Sequence, residues 1–155
     1  MCVIAWEHLK PAIEQNAIQV LLTDHHYWGG LRNTRQLAAI CRTFGIGVSM
    51  HSNTHLGISL AAMTHVASTV PDLHHACDSH YPWQSEDVLT DRLTFTDGRI
   101  TVPDTPGLGV DLDRDRLQHL HQRWLDDNGT YHDRDDESAM RVADPTWTTP
   151  TVPRW

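Results

Sequence analysis

Lysine is nearly missing from these 155 residues, with Lys10 the only one. A mechanism that needs a catalytic lysine at a strand end therefore has no candidate, because Lys10 sits in an expected helix. Basic residues are scarce as well: twelve Lys and Arg face twenty Asp and Glu, for a formal net charge of -8 at pH 7. No basic cluster offsets that balance, so nucleic acid and anionic membrane surfaces are excluded as partners by repulsion. Cysteine is limited to Cys2, Cys41 and Cys77, an odd number at wide spacing, which excludes a disulfide framework and fits free thiols in a reducing cytoplasm. Apolar runs are short. The stretch from Ile18 to Leu22 falls far below the roughly 20 residues that span a bilayer. HExxH and CxxC patterns, internal repeats and low-complexity segments are absent too.

What is present is a βα rhythm. Apolar residues make up 39% of the chain, enough for one domain, although an α/β barrel takes roughly 250 residues to close. Leu9, Ile13 and Ala17 mark a helix over Trp6 to Asn16, with Pro11 early in it. Ile18 to Asp24 reads as a strand buried on both faces. The loop from His25 to Gly30 leads to a helix over Thr34 to Phe44, with Leu37, Ile40, Cys41 and Phe44 inward and Gly45 as its stop. Ile46 to Met50 is the next strand, His55 to Thr69 the next helix, and Leu73 to Asp78 a further strand. Crossovers of this length make a parallel sheet. Beyond Asp78 the alternation stops. A hairpin around Asp97-Gly98 is expected over Leu93 to Val102, then a turn-rich linker from Pro103 to Gly109. A helix over Asp113 to Asp127 is capped by Asp113 or Asp111, and a polar, proline-bearing tail runs from Asp133 to Trp155. The chain divides on this reading into residues 1–79 and 80–155.

Chemistry gathers at the strand ends. Two consecutive strands finish in Asp24 and His51, and neighbouring tips would bring a carboxylate beside an imidazole. Such a pair fixes the His tautomer and leaves the second ring nitrogen to exchange protons. The plainer reading has Asp24 capping the next segment and His51 as a loop histidine. His25-His26 and His74-His75 would face opposite ways on strands, a poor arrangement for joint chelation. His51 and His55 straddle a strand-to-helix junction. Trp28 and Trp83 follow strand tips and are placed to line a pocket; Trp6, Trp124, Trp147 and Trp155 read more simply as core or tail anchors.

Several motifs in one order carry a resemblance: Asp24-His25-His26-Tyr27-Trp28-Gly29-Gly30-Leu31, the run from Ser49 to Leu60, the run from Ala76 to Gln84, the run from Val102 to Val110, and Arg134-Asp135-Asp136. Together they resemble the C-terminal part of glucarate dehydratases, in the mandelate-racemase-like group of the enolase superfamily. The resemblance implies an α/β fold, part of a TIM-type (β/α)7β barrel. The strands ending at Asp24, His51 and Asp78 would be its sixth to eighth, and the segment from His80 on would return to a capping domain. It implies a lyase that removes water from D-glucarate or its epimer to give a keto-deoxy-glucarate, with His51 as acid/base residue oriented by Asp24. His51, Ser52, Asn53, His80 and Arg134 would touch the aldarate, the arginine by gripping a carboxylate in two hydrogen bonds. Read without the resemblance, Arg134 among Asp133, Asp135 and Asp136 is a surface ion-pair cluster. Mg2+ is implied as cofactor, with its ligands and a lysine base lying before Met1. The expectation is thus a truncated or split member, poorly stable alone and completed by a missing N-terminal portion or a homo-oligomer. A non-catalytic remnant and a dehydratase for another aldarate such as galactarate are the alternatives.

Overall fold

The computed structural model describes residues 2–52, 55–71, 73, 75–126 and 141–148. Its first compact unit runs from Met1 to Leu117. Helix α1 (Trp6–Glu14) buries Leu9 and Ala12. It ends because Asn16 adopts φ 50, which lets the Ala17 amide donate back to the Ala12 carbonyl at 2.9 Å; asparagine tolerates that left-handed turn better than most residues. Strand β1 (Val20–Thr23) pairs in parallel with β2 (Gly47–Ser52), with Val20 opposite Gly47 and Thr23 opposite Met50. Strand β3 (Asp78–Ser79) adds to the other side of β2, His51 opposite Asp78 and Ser52 opposite Ser79. The strand order is β1-β2-β3.

Helices α2 (Leu31–Thr43) and α3 (Gly57–Ser68) make the crossovers. α2 begins earlier than the sequence suggested because Gly30, at φ 98, redirects the chain straight into it. Its buried face is Thr34, Leu37, Ala38 and Cys41, while Phe44, expected inward, is 57% exposed at the helix end. Gly45 does stop the helix, at φ 70. α3 is buried nearly all round, with Leu60, Ala61, Ala62, Met63, Thr64 and Val66 all covered. A helix of that kind belongs between layers rather than on a surface.

Two expectations are corrected. β1 is not buried on both faces: Leu21 and Thr23 are covered, but Val20 and Leu22 remain 42% and 41% exposed. The hairpin around Asp97-Gly98 shrinks to a tight turn with one bridge, Thr96 to Arg99, because both turn residues hold positive φ but no longer ladder forms beyond them.

The stretch after β3 is tied down by side chains. Tyr81, in a 3-10 turn over Tyr81–Trp83, donates its hydroxyl to Asp87 and accepts from the Leu93 amide at 3.2 Å. Asp87, 4% exposed, also accepts from the Gly57 amide at 2.9 Å and the Val88 amide at 2.8 Å. One buried carboxylate from a later segment therefore caps α3 from outside the helix. Helix α4 (Arg114–Asp126) starts where Asp113 accepts from the amides of Asp115 and Arg116 at 3.1 and 3.0 Å. Such a cap is worth about 1 kcal/mol. The second unit runs from Gln118 to Trp155; within it His121 stacks on Trp124 at 5.9 Å between ring centroids.

Candidate functional site

The site lies at the C-terminal ends of the three parallel strands, where side chains leave the packed layers. Two side-chain clusters form there. The first grows from Asp24, the residue after β1. Its Oδ1 accepts from the backbone amide of His26 at 2.8 Å and from His26 Nδ1 at 2.6 Å. This is the Asx turn that aspartate favours two residues ahead of itself. Asp24 Oδ2 lies 3.1 Å from His55 Nε2, a charge contact. His26 Nε2 lies 3.0 Å from the Ser59 hydroxyl, so with Nδ1 donating to Asp24 the serine donates to Nε2. The rings of His25 and His26 stand 4.1 Å apart and those of His26 and His55 4.4 Å apart. His25 and His26 do not face opposite ways, because they occupy a turn rather than a strand.

Electrostatics follow from the burial of this cluster. Burial pushes His25 down to about 4, with the neighbouring His26 acting in the same direction, so His25 is neutral. His55 is also lowered, by burial that outweighs the attraction of Asp24. Burial would raise Asp24, but the amide and ring of His26 and the nearby His55 together hold its carboxyl below the usual range. Asp24 is a fixed negative charge with its oxygens already engaged.

The second cluster contains His51, Asp78 and His80. His51 and Asp78 are register partners on adjacent strands, so their side chains share a sheet face, and His80 lies two residues beyond Asp78 on the same side. His51 Nδ1 is 2.9 Å from Asp78 Oδ2, a charge contact that is not aligned as a hydrogen bond. The His51 and His80 rings meet edge to face at 5.5 Å. Trp83 covers the far side of His80 at 5.1 Å.

Asp24 and His51, expected to form one dyad, are therefore found with different partners: Asp24 with His26 and His55, His51 with Asp78. The Asx turn takes one Asp24 oxygen and His55 takes the other. Ser52 is fully buried beside His51, its hydroxyl without a hydrogen bond. His80 lies beside His51 at the strand tips, and Asn53 and Arg134 lie outside the described residues. Sequence reasoning missed His26, His55 and Asp78 as site residues. Asp78 was signalled by its position at a strand tip, and His26 by its place two residues after an aspartate.

The donor chemistry can be tested against Mg2+, which takes near-octahedral oxygen ligands. Each cluster of three close metal-binding groups among the described residues, Asp24-His25-His26 and His51-Asp78-His80, offers one carboxylate and two imidazoles. Those donors do not fit Mg2+.

A parallel βα sheet with its polar groups collected at the strand tips defines a class. Residues 1–116 match the enolase C-terminal domain-like family, and the chain belongs to it. It is 74% identical over all its residues to the C-terminal part of a probable glucarate dehydratase from Streptomyces coelicolor, covering 36% of that protein. It is 39% identical over 93 residues to a chloromuconate cycloisomerase from Pseudomonas putida, a match that covers 59% of this chain and 25% of that protein. Among solved structures, an enolase from Mycobacterium smegmatis complexed with formate and acetate superposes with a TM-score of 0.83 at 53% identity, over 100% of this chain and 36% of the other. One from Pseudomonas fluorescens with bound magnesium, potassium and tartrate gives 0.84 at 48% identity, over 96% and 35%. The fold is thus a three-stranded part of the enolase-type barrel. The chain spans about a third of the length of the glucarate dehydratase and of these structures. Among the described residues, no helix is long and apolar enough to cross a membrane.

Proposed function

We propose that this chain supplies the acid/base side of a lyase that dehydrates an aldarate, D-glucarate or its epimer, to a keto-deoxy-glucarate. The observation that carries the reading is the placement of His51 beside a carboxylate at the tips of two adjacent parallel strands. A carboxylate beside one ring nitrogen orients the imidazole and leaves the other nitrogen to move a proton at the substrate carbon or at the departing hydroxyl. Asp24 contributes by remaining ionised and holding His26 and His55 in place. Ser52, Asn53, His80 and Arg134 are assigned to substrate contact. Residues 1–79 form the barrel portion in this scheme, and 80–155 complete the barrel and reach toward a capping domain. The Pseudomonas fluorescens structure holds tartrate, a small hydroxylated dicarboxylate of the same chemical class as an aldarate.

The test is complementation. The chain would be mixed or co-expressed with the remaining N-terminal portion of the Streptomyces coelicolor relative and assayed for glucarate-dependent keto acid in Mg2+ buffer. The chain alone should give no turnover, since its described clusters do not suit that ion. The combined sample should turn over, and His51→Asn should lower the rate by about 100-fold or more, the usual scale of a lost general acid or base. A folded complex with equal activity in His51→Asn would refute the assignment.

A further inference from the structure

The His51-Asp78-His80 group has a donor set and a geometry that suit a second role beside proton transfer. One ring nitrogen from each histidine and one carboxylate oxygen lie within 4.8 Å of one another. Two imidazoles and a carboxylate on one face, with open positions beyond them, are the donors that borderline divalent ions such as Zn2+, Co2+ and Ni2+ prefer. At a bond length of about 2.0 Å, tetrahedral ligand atoms sit about 3.3 Å apart, so the side chains need to draw in only modestly. The backbone already fixes the spacing: His51 and Asp78 are register partners, and the His80 amide donates to the Ser52 carbonyl at 3.0 Å.

A second observation points the same way. His51 Nδ1 is buried yet makes no hydrogen bond, although Asp78 Oδ2 is close. A buried polar atom without a partner is costly, and an ion bound at that nitrogen would remove the cost. The neighbouring Asp24-His25-His26 group also holds a buried nitrogen without a hydrogen bond, His25 Nδ1, but its other donors are already engaged. Its carboxylate already accepts from the amide and ring of His26 and pairs with His55, so an ion there would have to break contacts that are made.

We propose that His51, Asp78 and His80 form a binding site for a single divalent transition-metal ion of the Zn2+ type. Occupancy would hold His51 in coordination and withdraw it from proton transfer, making such ions inhibitors of any reaction His51 serves. Binding itself does not depend on the dehydratase reading, because no turnover is involved.

Calorimetric titration of the intact chain with Zn2+ in chelator-free buffer tests the site. The expected result is one ion per chain at micromolar Kd, weakened tenfold or more in His80→Ala and in Asp78→Asn and unchanged in His119→Ala on α4. His80→Ala keeps the backbone bond to Ser52, so it remains informative if Asp78→Asn fails to fold, and far-UV circular dichroism checks each variant. Trp83 supplies a local readout, being 80% exposed with its ring 5.1 Å from that of His80. Co2+ should quench tryptophan emission in the parent and much less in Trp83→Phe. Parent-like Zn2+ affinity in folded His80→Ala, or binding lost only in His25→Ala or His26→Ala, would overturn the proposal.

Discussion

At the scale of single residues, Gly57 shows how a contact overrides a propensity. Alanine in place of a helical glycine is ordinarily favourable by about 1 kcal/mol. Here a Cβ would lie 2.2 Å from Leu89 Cδ1 and 2.7 Å from Asp87 Oδ2. Overpacking of that kind costs about 1 to 3 kcal/mol, so Gly57→Ala should lower the denaturation midpoint, not raise it. Asp87→Ala removes the acceptor for the Gly57 and Val88 amides and the Tyr81 hydroxyl. Buried donors left without an acceptor cost about 1 to 3 kcal/mol each; thermal melting should show a larger loss than for Gly57→Ala. Neither Asp87 nor its role could be read from the sequence, because its partners lie up to 30 residues away and no local pattern announces them. Asp24 and His51 were legible as strand-tip residues because alternation and strand length place them. Their partners were not, since an Asx turn and the register of a neighbouring strand decide those.

At the scale of elements, the cluster joining the end of β1, the following turn and the start of the α3 segment should make the protein acid-sensitive. The groups facing His25 are Asp24, His26 and His55. His25 falls from 6.5 to about 4 on folding, so between those values the unfolded chain binds more protons. Stability is therefore full above pH 6.5 and falls as the pH drops toward 4, by on the order of 3 kcal/mol at most for this one group. The lowered His55 acts with the same sign, and lowered Asp24 extends the loss below pH 3.8. Urea midpoints measured from pH 8 to pH 4 should decline over that window, and His25→Phe should flatten the decline. The alternation of β1, α2, β2 and α3 was readable because hydrophobic period and glycine stops are local signals. β3 was not readable as it stands: a longer strand was expected, and its two residues are set by what β2 offers for pairing.

At the scale of the whole molecule, β1 has β2 on one side and no strand on the other among the described residues. Its Val20 and Leu22 are left exposed. An open edge with apolar side chains invites pairing with another chain, so the chain should self-associate as its concentration rises. Leu22→Lys should reduce light scattering and leave far-UV circular dichroism unchanged. The near-complete burial of α3 has a consequence for how the chain is made. Ser68 leaves the ribosome 21 positions ahead of Leu89, and the groups that close over and cap α3, Tyr81 and Asp87 with Leu89, all lie in that interval. At about 5 to 20 residues per second, a finished but uncovered apolar helix waits roughly one to four seconds for its cover. A pause within that window would present Leu60, Met63 and Val66 to chaperones, making translation speed over residues 69–89 a determinant of yield.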